Sequence, residues 1–380
     1  MTNKERLEAN NEKIAQIQKT LKNKILTSQG DGEYFVKVID YDGTILKEAR
    51  LNAGDTFMLP NAPSHDGLVF QEWSCSQEIV DNTITIEDNN VMVGATYTTA
   101  SGLNEFDIEL TKSLATDIET NGFVVTLRMD GTKDWGDGTS DDLTTHTYYA
   151  YGKYTIKCNG TTMSTVSGNG LFAQTTNDRN YYCIAVRLAN VKSISMNSFS
   201  MCLSLKTISI SNTINTISNY AFSTSFSLES VVFPNSFTKI SSNEFQNCYS
   251  LKNVVIPNNV TSIGSYAFNK CYSLKNIVIP KGVKVMSETL FYSCYSLENL
   301  KIPKIITSIG SGAFRECYSI SIYDFSKLTA IPSLSSTSGF TDINKIAKII
   351  VPDALYDEWI VATNWSFYAK YIYKASEVQE

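Results

Sequence analysis

The sequence predicts a mainly β protein whose C-terminal half is a solenoid of parallel strands, and three observations predict it. Phe199, Phe222, Phe245, Phe268, Phe291 and Phe314 recur every 23 residues. Leucine follows each at the sixth place (Leu205, Leu228, Leu251, Leu274, Leu297), with Ile320 in the last copy. Two apolar positions then alternate as in a strand: Ile208/Ile210, Val231/Phe233, Val254/Ile256, Ile277/Ile279 and Leu300/Ile302. Pro234, Pro257, Pro280 and Pro303 stop that strand, where ladder hydrogen bonds end. A fixed period of this length marks units that bury their apolar faces only by stacking on one another. Such arrays present surfaces and seldom catalyse, so a binding protein is expected.

One unit reads F-x-x-C-Y-S-L-K-N-I-V-I-P-x-x-V-T-S-I-G-x-x-A, best seen from Phe245 to Ala267. Its L-x-x-I-x-I stretch resembles the strand of leucine-rich repeats, one short parallel strand per coil. With Phe, Cys and I-P in these places it resembles the BspA-type, or treponemal-type, leucine-rich repeat across residues 184–328. Ile184, Val186, Leu188, Val191 and Ile194 read as a degenerate edge coil. Coils about 4.8 Å apart turn equivalent residues into ladders, with the phenylalanines inside.

Cysteine keeps the same period at Cys202, Cys248, Cys271, Cys294 and Cys317, and Ser225 fills the missing copy. Metal ligands must converge on a point, whereas these lie along a line, so neither a metal nor a cofactor is expected. Small buried thiols packing the turn before the strand fit better. Cys75, Cys158 and Cys183 show no paired spacing, so reduced thiols are expected throughout.

Ahead of the repeats the chain changes character three times. Residues 1–29 contain a polar helical stretch (2–27) with no apolar centre, so no signal peptide is expected. Leu7, Ile14 and Leu21 fall at heptad spacing with Ile17 beside them, while Asn10 and Lys24 interrupt the seam. That pattern serves either a helix docked on its own domain or a short stalk making a homo-trimer or dimer. SQGDG at 28–32 then breaks the helix. Residues 33–99 alternate as strands around a turn at Asp42–Gly43. Gly67, Phe70 and Trp73 resemble the G-x-x-F-x-x-W segment of the internalin B-repeat, which implies a spacer or adhesion module.

Residues 104–160 carry W-G-D-G-T at 135–139, T-H-T-Y at 145–148 and G-K-Y-T-I at 152–156. These resemble the PKD domain, an immunoglobulin-like β-sandwich. Asp134, Asp137, Asp141 and Asp142 raise the question of calcium, although the spacing is not that of an EF-hand and Asp is an ordinary turn residue. Residues 161–183 read as a polar linker. After residue 328 the period lapses, and 329–380 reads as a C-terminal cap. It holds one strand at 346–352, then two short helices that turn Trp359, Trp365 and Tyr368 inward.

The net charge of −6 comes without a basic stripe, so nucleic acid is not an expected partner. No stretch approaches the roughly 20 apolar residues of a membrane span. The two histidines, His65 and His146, sit in no catalytic motif, and no enzyme is expected. The order of modules resembles tail-associated, receptor-binding proteins of phages of gut bacteria. That resemblance implies a virion protein recognising a bacterial or host surface glycan or protein through the solenoid. A BspA-type adhesin on the bacterial cell surface is the alternative, and an accessory binding part of a carbohydrate-active enzyme a second one. The expected ligand platform is Tyr249, Tyr272, Tyr295 and Tyr318 beside Asn253, Asn276, Asn299 and Lys301, placed on an open sheet face by strand alternation.

Overall fold

The computed structural model describes residues 32–112, 114, 118–163, 171–172, 180–298 and 300–378. The N-terminal helix, its stalk, Asn299 and most of the 161–183 linker lie outside them. The described chain is mainly β, as expected, and its C-terminal half is a solenoid of parallel strands.

Most repeats contribute two short strands. The first set pairs in register at the 23-residue step: Val231 lies against Val254, and Val254 against Ile277. The second set does likewise, with Ile240 beside Ile263 and Met286 beside Ile309. Between them the phenylalanines stack. Phe199, Phe222, Phe245, Phe268, Phe291 and Phe314 are all fully buried. Successive rings lie 5.4–6.0 Å apart, and their planes stay within 18° of parallel.

The turns of each coil need left-handed backbone at two fixed places. One holds Asn197, Tyr220, Asn243, Tyr266, Thr289 and Gly312, and the other Met201, Thr224, Asn247, Lys270, Ser293 and Glu316. The ladder thiols bridge coils. The Sγ of Cys248, Cys271, Cys294 and Cys317 donates to the carbonyl oxygen of Phe222, Phe245, Phe268 and Phe291 at 3.1–3.3 Å. Ser225 makes the same bond to Phe199 at 2.7 Å, which explains why serine can stand in this row. All eight cysteines are free and buried.

The coil outlasts the sequence period. Strand Ile322–Asp324 pairs in parallel with Lys348–Val351, and that strand with Ile372–Lys374. Phe340 continues the ring stack, 5.2 Å from Phe314. Trp359, Trp365 and Tyr368 turn inward, with Trp365 Nε1 donating to the Pro332 oxygen at 2.7 Å. The expected helices are short, a single α-turn at Tyr356–Trp359 and the two-turn 3₁₀ segment Trp365–Tyr371.

At the other end, residues 104–160 are built into the array. Strand Asn104–Leu110 pairs antiparallel with Cys183–Leu188, which pairs in parallel with Thr207–Ile210. One apolar core therefore runs unbroken from Phe106 to Ile372. Arg187 fastens the seam, with Nη1 and Nη2 on the two Asp107 oxygens (2.8 and 2.6 Å) and Nε on Glu105 (3.0 Å). This geometry closes the first coil as a cap would.

Residues 33–99 have their own core. Strands Tyr34–Ile39, Ile45–Leu51, Leu68–Cys75 and Val91–Thr99 form one sheet. Val36, Val38, Phe57, Leu59, Ile84 and Val93 are buried against one of its faces. The opposite face presents Ile39 and Met92, with Phe35 beside them, to Val232, Val255 and Val278 of the solenoid.

Candidate functional site: the two faces of the solenoid

The outward row of the first strand set is Ser209, Val232, Val255, Val278 and Lys301, and residues 33–99 lie across it. At one end the Ser209 hydroxyl donates to the Tyr97 oxygen at 2.9 Å. Gly94 sits against Val232 so closely that an added Cβ would meet its methyl groups at 2.5 Å. At the far end Lys301 pairs with Glu33 at 3.2 Å and lies 3.9 Å above the Tyr34 ring. A second row, the residues following the strand, repeats the pattern. The Asn212 amide N–H donates to Gln71, that of Asn235 to Glu72 and that of Asn258 to the Cys75 oxygen, at 2.8–2.9 Å. Lys281 and Lys304 complete the row as ion pairs with Glu87 and Asp88, at 3.2 and 2.7 Å. Pairing with Lys304 holds the Asp88 carboxyl below its ordinary range and the Lys304 ammonium above its own.

The sheet face expected to be open is therefore covered, and the amide half of the expected platform needs correction. Asn253 does point away from the core, but the Gly43 turn of residues 33–99 sits over it and over Ser230. Asn276 is buried. Lys301 is half-buried in its pair with Glu33. The asparagines obey strand alternation; what alternation cannot convey is a second sheet laid on that face.

The tyrosines lie on the adjoining flank and form one continuous stack. Ring centroids are 4.5 Å apart from Phe226 to Tyr249, then 4.6, 4.8 and 5.4 Å to Tyr272, Tyr295 and Tyr318, within 20° of parallel. Tyr249 and Tyr272 are half-buried, while Tyr295 and Tyr318 are exposed by 38% and 47%. Stacking consumes the ring faces, so this row offers ring edges and hydroxyls to solvent. Desolvation, reinforced by neighbouring tyrosines and Glu316, raises the phenols of Tyr272 and Tyr318 above their ordinary range. A charged row runs alongside, in which Glu229 pairs with Lys252 at 2.6 Å and Lys275 with Glu298 at 3.3 Å.

Three of the four aspartates considered for calcium are turned to the chain's own donors, and Asp142 is exposed. Asp134 accepts from the Gly136 amide, Asp137 from Thr139, and Asp141 from Trp135 Nε1 and the Leu143 amide. Asp137 also holds His146 at 2.7 Å, and that ring stacks on Trp135. His65 is held likewise by Asp40 at 2.6 Å. Among the described residues no three His, Cys, Asp or Glu side chains gather as a metal site. Among them, too, no helix is long and apolar enough to cross a membrane.

The class is set by the geometry: parallel coils with a leucine and a phenylalanine ladder, a leucine-rich-repeat solenoid. Six copies of the BspA type leucine rich repeat region match residues 168–298 and 238–357, together half of the chain. The chain belongs to that family. No curated protein sequence matches it. Among solved structures it is similar to a leucine-rich repeat protein of T. pallidum, with 36% identity over 34% of this chain and 61% of that one, at a TM-score of 0.34. It is also similar to a leucine-rich repeat protein of Bacteroides ovatus, with 24% identity over 48% of this chain and 57% of that one, at 0.38. A leucine rich cell surface protein of Faecalibacterium prausnitzii matches with 21% identity over 43% of this chain and 52% of its own, at 0.32. The chain thus spans about three fifths of the first two structures' own length.

Proposed function

We propose that this is a non-enzymatic binding protein of the adhesin kind, which recognises a surface glycan or protein through the exposed flank of its solenoid. One observation carries the reading: with the sheet face covered, the flank from Tyr249 to Tyr318 still presents ring edges and hydroxyls, beside a row of charges paired from Glu229 to Glu298. Tyrosine supplies contact area at little entropic cost, and its hydroxyl supplies direction. Tyr295 and Tyr318 are the residues of choice for contact, since they are the most exposed of the stack. Asn253 and Lys301 lie under residues 33–99, and Asn276 is buried, so none of the three is offered for contact. The setting we propose is the bacterial cell surface or a phage tail. The phage setting rests on the order of modules, which resembles that of tail-associated proteins of gut-bacterium phages.

The test is binding of the full chain to whole gut-bacterial cells and to a glycan array. Tyr295→Ala with Tyr318→Ala should leave the fold intact and remove most of the binding. Equal binding by parent and variant would return the tyrosine stack to a purely structural role.

A further inference from the structure

We propose that residues 33–99 are a hinged lid over the solenoid's sheet face, latched by ion pairs at the end farthest from its tether. Four observations on separate parts of the molecule converge on this. The lid has a core of its own, distinct from the one running through the solenoid. The apolar contact beneath it is small: Ile39, Met92 and Phe35 against three valines. Interfaces of that make-up between independently cored units permit relative motion.

The tether and the latch stand at opposite ends. The lid continues into the solenoid's cap through the turn after Thr99, where Gly102 has φ +68° and the Thr99 hydroxyl donates to the Leu103 oxygen at 2.6 Å. That turn adjoins the coil of Ser209, whose hydroxyl holds Tyr97. The latch lies three to four coils on, about 14–19 Å away at strand spacing. It comprises Lys281–Glu87, Lys301–Glu33 and Lys304–Asp88. Between these ends the polar contacts are hydrogen bonds to Gln71, Glu72, Trp73 and Cys75. Both partners in the Lys281 and Lys304 pairs are well exposed, with side chains 44–60% accessible. Exposed pairs of this kind are individually weak and salt-screened. Salt or a competing polyanion therefore loosens the latch first, and the valine row is uncovered from the Val278 end.

A Val255→Cys reporter tests this, because Val255 is fully buried under the lid while facing away from the solenoid core. The eight native thiols, all buried, set the background in the parent protein. Alkylation of the reporter should accelerate about tenfold from low salt to about 1 M salt as the pairs are screened. Lys281→Glu with Lys304→Glu should produce the same acceleration at low salt. Hydrogen exchange on the unmodified chain gives an independent reading: the amides of Asn212, Asn235 and Asn258, which donate to the lid, should lose protection with salt while those of the phenylalanine ladder keep it. A reporter as slow as the native thiols at every salt concentration would overturn the lid, as would salt accelerating reporter and ladder thiols alike.

Discussion

Two aromatic ladders run the length of the solenoid, one inside and one on its flank, and they differ in a way that reports the shape of the stack. The phenylalanines lie 5.4–6.0 Å apart and are wholly buried. From Phe226 to Tyr295 the outer rings lie only 4.5–4.8 Å apart, close to the spacing of paired strands. Equivalent atoms of successive coils separate more on the outer side of a curved stack than on the inner. The phenylalanines thus sit toward the convex side, and the tyrosines sit beside the strands. The inner ladder fills volume; the outer one adds ring contact at a solvent boundary, where each stacked pair is worth about 0.5–1.5 kcal/mol.

The sharpest way to break the comparison is to remove one ring from each ladder. Phe268→Ala should cost about 3–5 kcal/mol, because the cavity is walled by neighbouring coils that cannot collapse. Tyr272→Ala should cost about 1–3 kcal/mol for its two stacking contacts, since water fills the gap. Chemical denaturation of both variants measures the difference. Equal losses would mean that the tyrosine stack is as much a core as the phenylalanine one.

Glu244 offers a second contrast, between a ladder and its one misfit. The row Ala221, Glu244, Ala267, Leu290, Ala313 places one carboxyl where the other four side chains are apolar, and it is buried. One oxygen accepts from the Ser241 amide at 2.8 Å, and the other has no partner among the described residues. Burial raises its pKa well above the ordinary glutamate value. A raised folded-state pKa means that the carboxyl costs least below the unfolded value and destabilises increasingly as pH climbs toward the folded one. Glu244→Ala should therefore raise stability by about 1–3 kcal/mol at neutral pH, the size of an unmet buried polar group. The gain should shrink toward pH 4. A melting temperature that is unchanged, or a gain that grows on acidification, would contradict this.

The inner ladder was legible in the sequence because its residues carry the period themselves: a phenylalanine and a leucine every 23 residues leave no other stacking register. The final coils were not, because Asp324 pairs with Ile350, 26 residues on, and Phe340 stands where a fixed count would not seek it. The covered face left a readable trace. Val232, Val255 and Val278 occupy outward strand positions between Ser209 and Lys301, and three valines in line on an outward face imply something laid over them. The sequence could not say what covers them. The contacts that answer it join residues more than 110 positions apart, and several end on backbone atoms, such as the Cys75 and Tyr97 oxygens, that have no residue signature. The tyrosine row was found for its period, but its stacked faces follow from coil spacing, which only the structure displays.

The thiol row compares two ways of filling one place. Cys271→Ser should keep the bond to the Phe245 oxygen, as Ser225 does to Phe199, and change stability by less than about 1 kcal/mol. Cys271→Ala removes the donor and should cost somewhat more, about 1–1.5 kcal/mol. Thermal melts of the pair decide it; alanine matching serine would show that the row needs only small volume.

The smallest effect lies at the left-handed turn positions, where the same backbone is asked of different residues. Asn197, Asn243 and Gly312 suit φ near +60°, while Thr289 adopts +55° with a β-branched side chain. A left-handed conformation costs an L-residue about 1–2 kcal/mol, and asparagine less, because its side chain bonds locally. Branching at Cβ aggravates the clash. Coil geometry nevertheless holds Thr289 there, since its amide donates to the Ser311 oxygen at 2.9 Å in step with the Asn243 amide to Ser265. Thr289→Asn keeps that bond and relieves the branch, so a gain of about 0.5–1 kcal/mol is expected. The same exchange at Asn243, reversed to threonine, should lose a similar amount. If both variants melt with the parent, the turn is set by the coil alone and is indifferent to the residue that occupies it.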